Sequence, residues 1–307
     1  MMIFVWLLQV VLTPIAAPLF IGIIKKIKAK FQNRCGANVF QPYKDLWKLM
    51  HKDEVVSKDA SWIFRYTPYI IFAITIVAGA SIPLFATYIK NTLTGDFLLV
   101  IYLLAGYTFF LALAGMDIGS GFGGFGSSRE MTVAALAEGG LIFSLLTISL
   151  AGGSSNLFSL ADQHMILKNQ FFLPVLLAFC GFFIVLLAEN SRFPFDNPST
   201  HLELTMIHEA MILEYSGKRL ALIEWAAANK LFVFAALGAN VFFPLGIAQN
   251  DSVCAVIVGV LALLIKVTVF CVFIAVLESI IAKFRFFRLP DLLMVSFILS
   301  VIAIGVM

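Results

Sequence analysis

The chain has 307 residues, of which 61% are hydrophobic, 14% aromatic and only 13% charged. A soluble domain carries about 25% charged residues, so this composition excludes a water-soluble globular protein and indicates an integral membrane protein. The formal net charge of +3 matters through its placement, because Lys and Arg mark loops kept on the cytoplasmic side of a membrane.

A helix needs about 20 apolar residues to cross roughly 30 Å of hydrocarbon. Eight such runs are placed near 2–24, 66–88, 97–116, 130–152, 171–189, 226–246, 253–282 and 290–307. The expected fold is all-α, a single polytopic domain over 1–307 with cytoplasmic amphipathic helices. The first run has no basic residue ahead of it and no cleavage site before Lys25-Lys26-Ile27-Lys28. It is therefore expected to be a retained span and not a cleaved leader.

The loops 25–65, 117–129, 190–225 and 283–289 hold 17 Lys and Arg, whereas the intervening loops hold only Lys90 and Lys168. This asymmetry places both termini outside and the basic loops in the cytoplasm, in the inner (cytoplasmic) membrane of the cell. In the first loop, QPYKDLWKLM puts Tyr43, Leu46, Trp47 and Met50 at helical spacing. A short amphipathic helix is expected there, with Trp47 as an interfacial anchor or as a docking residue for a soluble partner. The run GSGFGGFG at 119–126 is assigned to the third-loop region, ahead of the fourth span. The fifth span ends in ENSRFPFDNPSTHLE at 189–203. There Asn197 followed by Pro198 reads as a helix start and Gly217 as a stop, which predicts a helix over 198–216.

Ionisable residues also fall inside or at the ends of spans: Glu138, Glu189, Glu224, Lys230, Lys266 and Glu278, with Glu130 two turns before Glu138 along the same general side. A charge near mid-membrane costs about 3 kcal/mol on insertion scales, and its usual role is a proton or ion relay. Lys266 is expected to need a carboxylate or water. Residues at span ends, Glu224 and Glu278 among them, can equally reach the interface with their polar tips.

Other chemistry finds no support. Cys35, Cys180, Cys254 and Cys271 are scattered singly, His51, His164, His201 and His208 lie outside the apolar runs, and no nucleotide-binding glycine loop is present. No cofactor, iron-sulfur cluster or metal is expected on this chain. No internal repeat marks a duplicated transporter.

Taken together, NRCGANVFQPYKDLWKL at 33–49, GMDIGSGFGGFGSSRE at 115–130, ENSRFPFD at 189–196 and EYSG at 214–217 give the chain a family resemblance. It resembles the membrane subunit shared by respiratory complex I, where it is subunit 1, and group 4 membrane-bound nickel-iron hydrogenases, in the branch of formate hydrogenlyase subunit 4 and hydrogenase-4 component C. The resemblance implies an eight-helix subunit, non-catalytic alone, between an iron-sulfur-bearing peripheral arm and antiporter-like membrane subunits. Iron-sulfur clusters, and a nickel-iron centre in the hydrogenase case, would reside in those partners. Membrane lipid is a further contact and nucleic acid is not. Glu138, Glu189, Lys266 and Glu278 sit where the family pattern has those residue types, and with Glu130, Glu224 and Lys230 they are the expected ion path. Arg34, Gln41, Asp45, Asp117, Arg129, Arg192, Asp196, His201, Glu203, His208, Glu209 and Glu214 belong to the loops facing the arm, or a quinone.

The sequence departs from that pattern at Ser199-Thr200-His201, where the family writes an acidic pair, and at Ala37, where a proline is usual. Glu203 and EYSG are also three residues further apart. The altered acidic cluster favours proton coupling in a hydrogenase-like complex over quinone binding in a respiratory one. A stand-alone ion antiporter is the rival from another class, motivated by the same buried charges.

Overall fold

The computed structural model describes residues 2–88, 94–162, 169–196 and 206–307. Eleven α-helices form within them: α1 (Met2–Phe31), α2 (Gln41–Met50), α3 (Trp62–Ser81), α4 (Phe97–Asp117), α5 (Gly121–Gly152), α6 (Leu157–Asp162), α7 (Phe172–Glu189), α8 (His208–Ile212), α9 (Gly217–Leu237), α10 (Val253–Ile280) and α11 (Leu289–Gly305). Eight helical segments have the length and apolarity to cross a bilayer, the α9 segment continuing through a π-helical turn to Phe242. Apart from two isolated bridges, the described residues contain no strand.

Helix starts follow from side-chain caps. Ser61, Asp96, Ser120 and Ser252 each accept a hydrogen bond from a backbone N–H of the first turn of α3, α4, α5 and α10, which satisfies a donor that the helix itself leaves free. Gly153 closes α5 at φ +64°, a conformation that costs glycine little. Within α1, Pro18 has no N–H to give to the Pro14 carbonyl four residues back. Trp225 of α9 supplies it instead, through Nε1 at 2.8 Å, and the Tyr43 hydroxyl of α2 donates to the next carbonyl, that of Ile15. The proline-interrupted turn is thereby fixed to both neighbours.

Several sequence boundaries are corrected. α1 continues through the basic run to Phe31, because lysine stems remain compatible with a helix while their ammonium groups reach water. α3 stops at Ser81, two residues before Pro83, and not at 88. α5 starts at Gly121 and not at 130, so the glycine run is helix and not loop. Its reason is close packing: a Cβ on Gly123 would overlap the Gly115 carbonyl oxygen of α4, and one on Gly126 would lie 2.8 Å from the Ile207 carbonyl oxygen. The predicted 198–216 helix is confined, in its described part, to His208–Ile212; Asn197, Pro198 and the rest of its start lie outside the described residues. Gly217 begins α9 instead of ending the preceding helix. Its φ of +53°, at a place where a Cβ would lie 2.8 Å from the Asp53 carbonyl oxygen, makes the corner that turns the chain into the span, which therefore starts at 217 and not at 226.

The basic loops meet at one end of the bundle. Ser61 donates from its hydroxyl and its N–H to Asp117 at 2.6 and 2.9 Å, Arg219 pairs with Glu54 at 3.3 Å, and the Ser216 hydroxyl bonds the backbone of Val55. At the opposite end two non-helical segments, 82–88 and 243–252, pair through Thr87 N–H to Ala248 and Ala248 N–H to Phe85. Ile82, Leu84, Phe85 and Ala86 there are fully buried. Irregular backbone at such depth is stable only where protein encloses it, and α10 does so: the Phe85 carbonyl occupies the place that a side chain at Gly259 would take.

Candidate functional site

At the basic end, α1, α2, α5, α7, α8 and α9 enclose a cavity of about 560 Å³. Its walls differ in character. Pro18, Ile21 and Ile24 of α1, Pro42, Leu46 and Leu49 of α2, and Leu220 and Leu231 of α9 give an apolar side. Against it stand Asp45, Glu130, Glu189, Glu209 and Glu224, five carboxyl groups, with the four cations Lys25, Lys28, Arg192 and Lys230, and His208. Near-balance of opposite charges in one enclosure lowers the cost of keeping each of them out of bulk water.

The inner end is an ion pair. Lys230 Nζ of α9 lies 2.8 Å from Glu189 Oε2, the last residue of α7, with side chains 3% and 7% exposed. Lys230 also donates to Thr108 Oγ1 of α4 at 3.1 Å and lies 4.8 Å from the centre of the Tyr107 ring. An ammonium over an aromatic face gains further electrostatic support. Glu130 of α5, 5% exposed, shares this end of the cavity.

The mouth includes Asn190, Ser191 and Arg192, directly after α7, and His208 and Glu209 of α8. Glu278 of α10 holds Arg192 at 3.3 Å and Lys28 of α1 at 2.8 Å, its own side chain having no exposure. Asp196 accepts from Lys283 at 2.6 Å and from the N–H groups of Ile207 and His208. These two acids place Arg192, His208 and Glu209 at the cavity. Burial pushes His208 down to about 4, with Lys230 and Arg192 adding to the effect and Asp196 opposing it. Burial pushes Glu209 up to about 7, reinforced by Glu224 and Asp196 and opposed by Lys25.

Of the residues singled out from sequence, Asp45, Glu130, Glu189, Arg192, His208, Glu209, Glu224 and Lys230 come together here. Glu278 and Asp196 act one contact behind them. Glu138 does not join. It is half-buried on α5, eight residues beyond Glu130, which sets it about 80° round the helix from Glu130. Lys266 is also elsewhere. Among the described residues it has no carboxylate partner, one of the two partners expected for it, and no place at the cavity: its ammonium donates to the Asn240 side chain and to the carbonyls of Ala239 and Phe243, at the π-helical end of α9. A broken helix end presents free carbonyl oxygens, and these serve in place of an acid.

The remaining loop residues lie apart from the cavity wall. Asp117 holds Ser61, the cap of α3, Gln41 bonds Asp45 within α2 at 2.8 Å, and Arg129 donates to the Met206 carbonyl at 3.1 Å. Arg34 and Glu214 are exposed. His201 and Glu203 lie outside the described residues, as do Ser199 and Thr200. On α2, Trp47 is 71% exposed, its ring tilted against that of His51 at 4.5 Å, and of the expected stripe only Leu46 lines the cavity, together with Pro42, Asp45 and Leu49. Sequence reasoning missed Lys25, Lys28, Tyr107 and Thr108. The lysines at i and i+3 were a usable signal, but Tyr107 and Thr108 stand in an otherwise apolar run that gives none.

Fold and site define a polytopic helical membrane protein with a charged cavity at one end. A profile of the NADH dehydrogenase family matches residues 3–307, and the chain belongs to that family. It is 34% identical over 298 residues to Hydrogenase-4 component C of Escherichia coli (strain K12), covering 97% of this chain and 93% of the relative. It is 29% identical over 281 residues to Formate hydrogenlyase subunit 4 of the same organism, 91% and 90% of the two chains. A subunit of the NADH-quinone oxidoreductase of Paraburkholderia phymatum is 26% identical over 246 residues, 76% and 68% of the two. Among solved structures, a chain of the membrane-bound sulfane sulfur reductase, described as an archaeal respiratory membrane complex, superposes with a TM-score of 0.85 at 20% identity, over 99% of this chain and 98% of that one.

Proposed function

We propose that the chain is the membrane-anchoring and proton-coupling subunit of a hydrogenase-like or complex I-like oxidoreductase. Its basic end faces the cytoplasm of the inner membrane with both termini outside, and holds an iron-sulfur-bearing peripheral arm. Antiporter-like subunits adjoin it in the bilayer. The observation that carries this reading is the cavity of five acids and four cations closed by the Lys230–Glu189 pair. Full membership of the family and the near full-length similarity to Hydrogenase-4 component C and Formate hydrogenlyase subunit 4 support the assignment to such a complex.

The chain carries no redox chemistry in this reading. A charge change on the arm alters the field at the cavity mouth, and His208 and Glu209, whose proton affinities burial has already moved, pass that change to Glu130, Glu189 and Lys230. The apolar wall formed by α1 and α2 supports a second reading, in which the same cavity takes a quinone headgroup. Co-purification of the chain with its partners, followed by turnover in the presence of quinone-site ligands, separates the two. Unaltered turnover favours coupling without quinone, and inhibition favours the quinone. Ion flux from the purified chain alone in liposomes contradicts both and supports a stand-alone antiporter.

A further inference from the structure

Most buried hydroxyls in the bundle satisfy themselves on their own helix: Thr67 donates to Ile63, Thr75 to Phe72 and Ser81 to Val77. Several buried oxygens do not, and three of these belong to α1 and α9. Asn229 Oδ1, Thr13 Oγ1 and Gln9 Oε1 have no partner among the described residues, although their residues are 0%, 0% and 1% exposed. An unpaired polar atom at that depth is costly, and internal water is what ordinarily satisfies it.

The three atoms are not scattered. Asn229 is next to Lys230 in sequence but turns toward α3, where its Nδ2 donates to Thr75 Oγ1 at 3.2 Å. One turn further along α3, Gly79 packs directly against Thr13 of α1, whose side chain takes up the place of a Cβ there, with Oγ1 2.6 Å from that position. One turn further along α1, Gln9 donates from Nε2 to the Ile82 carbonyl at the end of α3. The next two carbonyls, Pro83 and Leu84, accept from Asn240 Nδ2, and Asn240 Oδ1 accepts from Lys266. Polar groups thus recur at every turn from the Lys230 end of the charged cavity to the lysine near the middle of α10.

We infer that α1, α3 and α9 enclose a file of internal water, bound by Asn229, Thr13 and Gln9, that connects the Lys230 end of the cavity with the Asn240–Lys266 cluster. The ligand class is water and the species that water relays, the proton. This gives Lys266 a connection that no carboxylate among the described residues provides. The conducting role rests on the coupling function proposed above; the existence of the file does not.

The test has two arms on the assembled complex. High-resolution electron cryo-microscopy of the unmodified complex should show ordered water within hydrogen-bonding distance of Asn229 Oδ1, Thr13 Oγ1 and Gln9 Oε1; dry atoms, or direct protein partners for all three, overturn the file. Thr13→Val, which keeps the shape and removes the hydroxyl, and Gln9→Leu are then compared with Glu189→Gln in proteoliposomes. The expected result is loss of proton translocation in all three with electron transfer retained. Translocation lost in Glu189→Gln but intact in Thr13→Val and Gln9→Leu overturns the conducting role of the file. Translocation intact in Glu189→Gln overturns the coupling function, and with it the conducting role, while the first arm still decides the file.

Discussion

Lys230 and Glu189 meet at 2.8 Å between α9 and α7 with almost no exposure, and each is the other's main compensation for leaving water. Removing one partner of such a pair strands a buried charge at a cost of about 3–5 kcal/mol, whereas replacing both by neutral groups is often nearly neutral. Lys230→Met is therefore expected to lower the thermal stability of the purified complex sharply, and Lys230→Met combined with Glu189→Gln to recover most of the loss. A double variant as unstable as the single one contradicts the pair.

Glu209 gives a pH dependence with a definite sign. Its folded value is raised to about 7, so the protonated form is favoured in the native state. Its contribution is fully present below the ordinary carboxyl range and is lost as pH rises through 7. Glu209→Gln should leave stability unchanged near pH 4 and raise it relative to the parent above pH 7. His208, lowered to about 4, runs the other way: its contribution is present above about 6.5 and is lost as pH falls through 4. Unfolding curves of parent, Glu209→Gln and His208→Asn across pH 4–8 read both signs.

The spans were legible because bilayer thickness dictates run length, and the basic end because Lys and Arg collect in alternate loops. The starts of α5 and α9 were not. Gly121 to Gly126 reads as a turn, since glycine weakens an isolated helix by about 1 kcal/mol per residue, and only the approach of Gly115 and Ile207 explains why glycine belongs there. In the same way Gly217 reads as a helix stop until the positive φ that starts α9 is seen. Glu130, Glu189, Glu224 and Lys230, singled out as charges within or at the ends of apolar runs, gather at one cavity with Asp45, Arg192, His208 and Glu209, loop residues that the family resemblance implied. Pairing was not legible: Lys266 looked like a partner for an acid, and the oxygens that hold it come from a helix break that no motif announces.

The glycine run allows a paired test. A Cβ at Gly124 meets nothing within 4 Å, whereas one at Gly123 meets the Gly115 carbonyl oxygen. Gly124→Ala is expected to be neutral or to stabilise by up to about 1 kcal/mol through helix propensity. Gly123→Ala forces α5 from α4 and is expected to cost about 1–3 kcal/mol. Melting temperatures of the two purified variants should move in opposite directions or differ clearly; equal shifts would reject the close approach of α4 and α5.

Asn240 is expected to matter more than its size suggests. Asn240→Leu removes the donor to the Pro83 and Leu84 carbonyls and the acceptor for Lys266, leaving several buried groups unpaired at about 1–3 kcal/mol each. The variant should open the end of the bundle opposite the charged cavity, read as faster hydrogen exchange in residues 82–88 and 243–252 with residues 208–231 unchanged. Uniform protection across both regions contradicts the assignment.

Whether the cavity couples, and does not merely anchor, is read most directly from the number of protons moved per electron transferred. The measurement uses proteoliposomes containing the intact complex with Glu189→Gln, which keeps the shape of the Lys230 contact and removes its ability to exchange a proton. Electron transfer is expected to persist while translocation is lost. Translocation at the parental ratio would contradict coupling through this cavity.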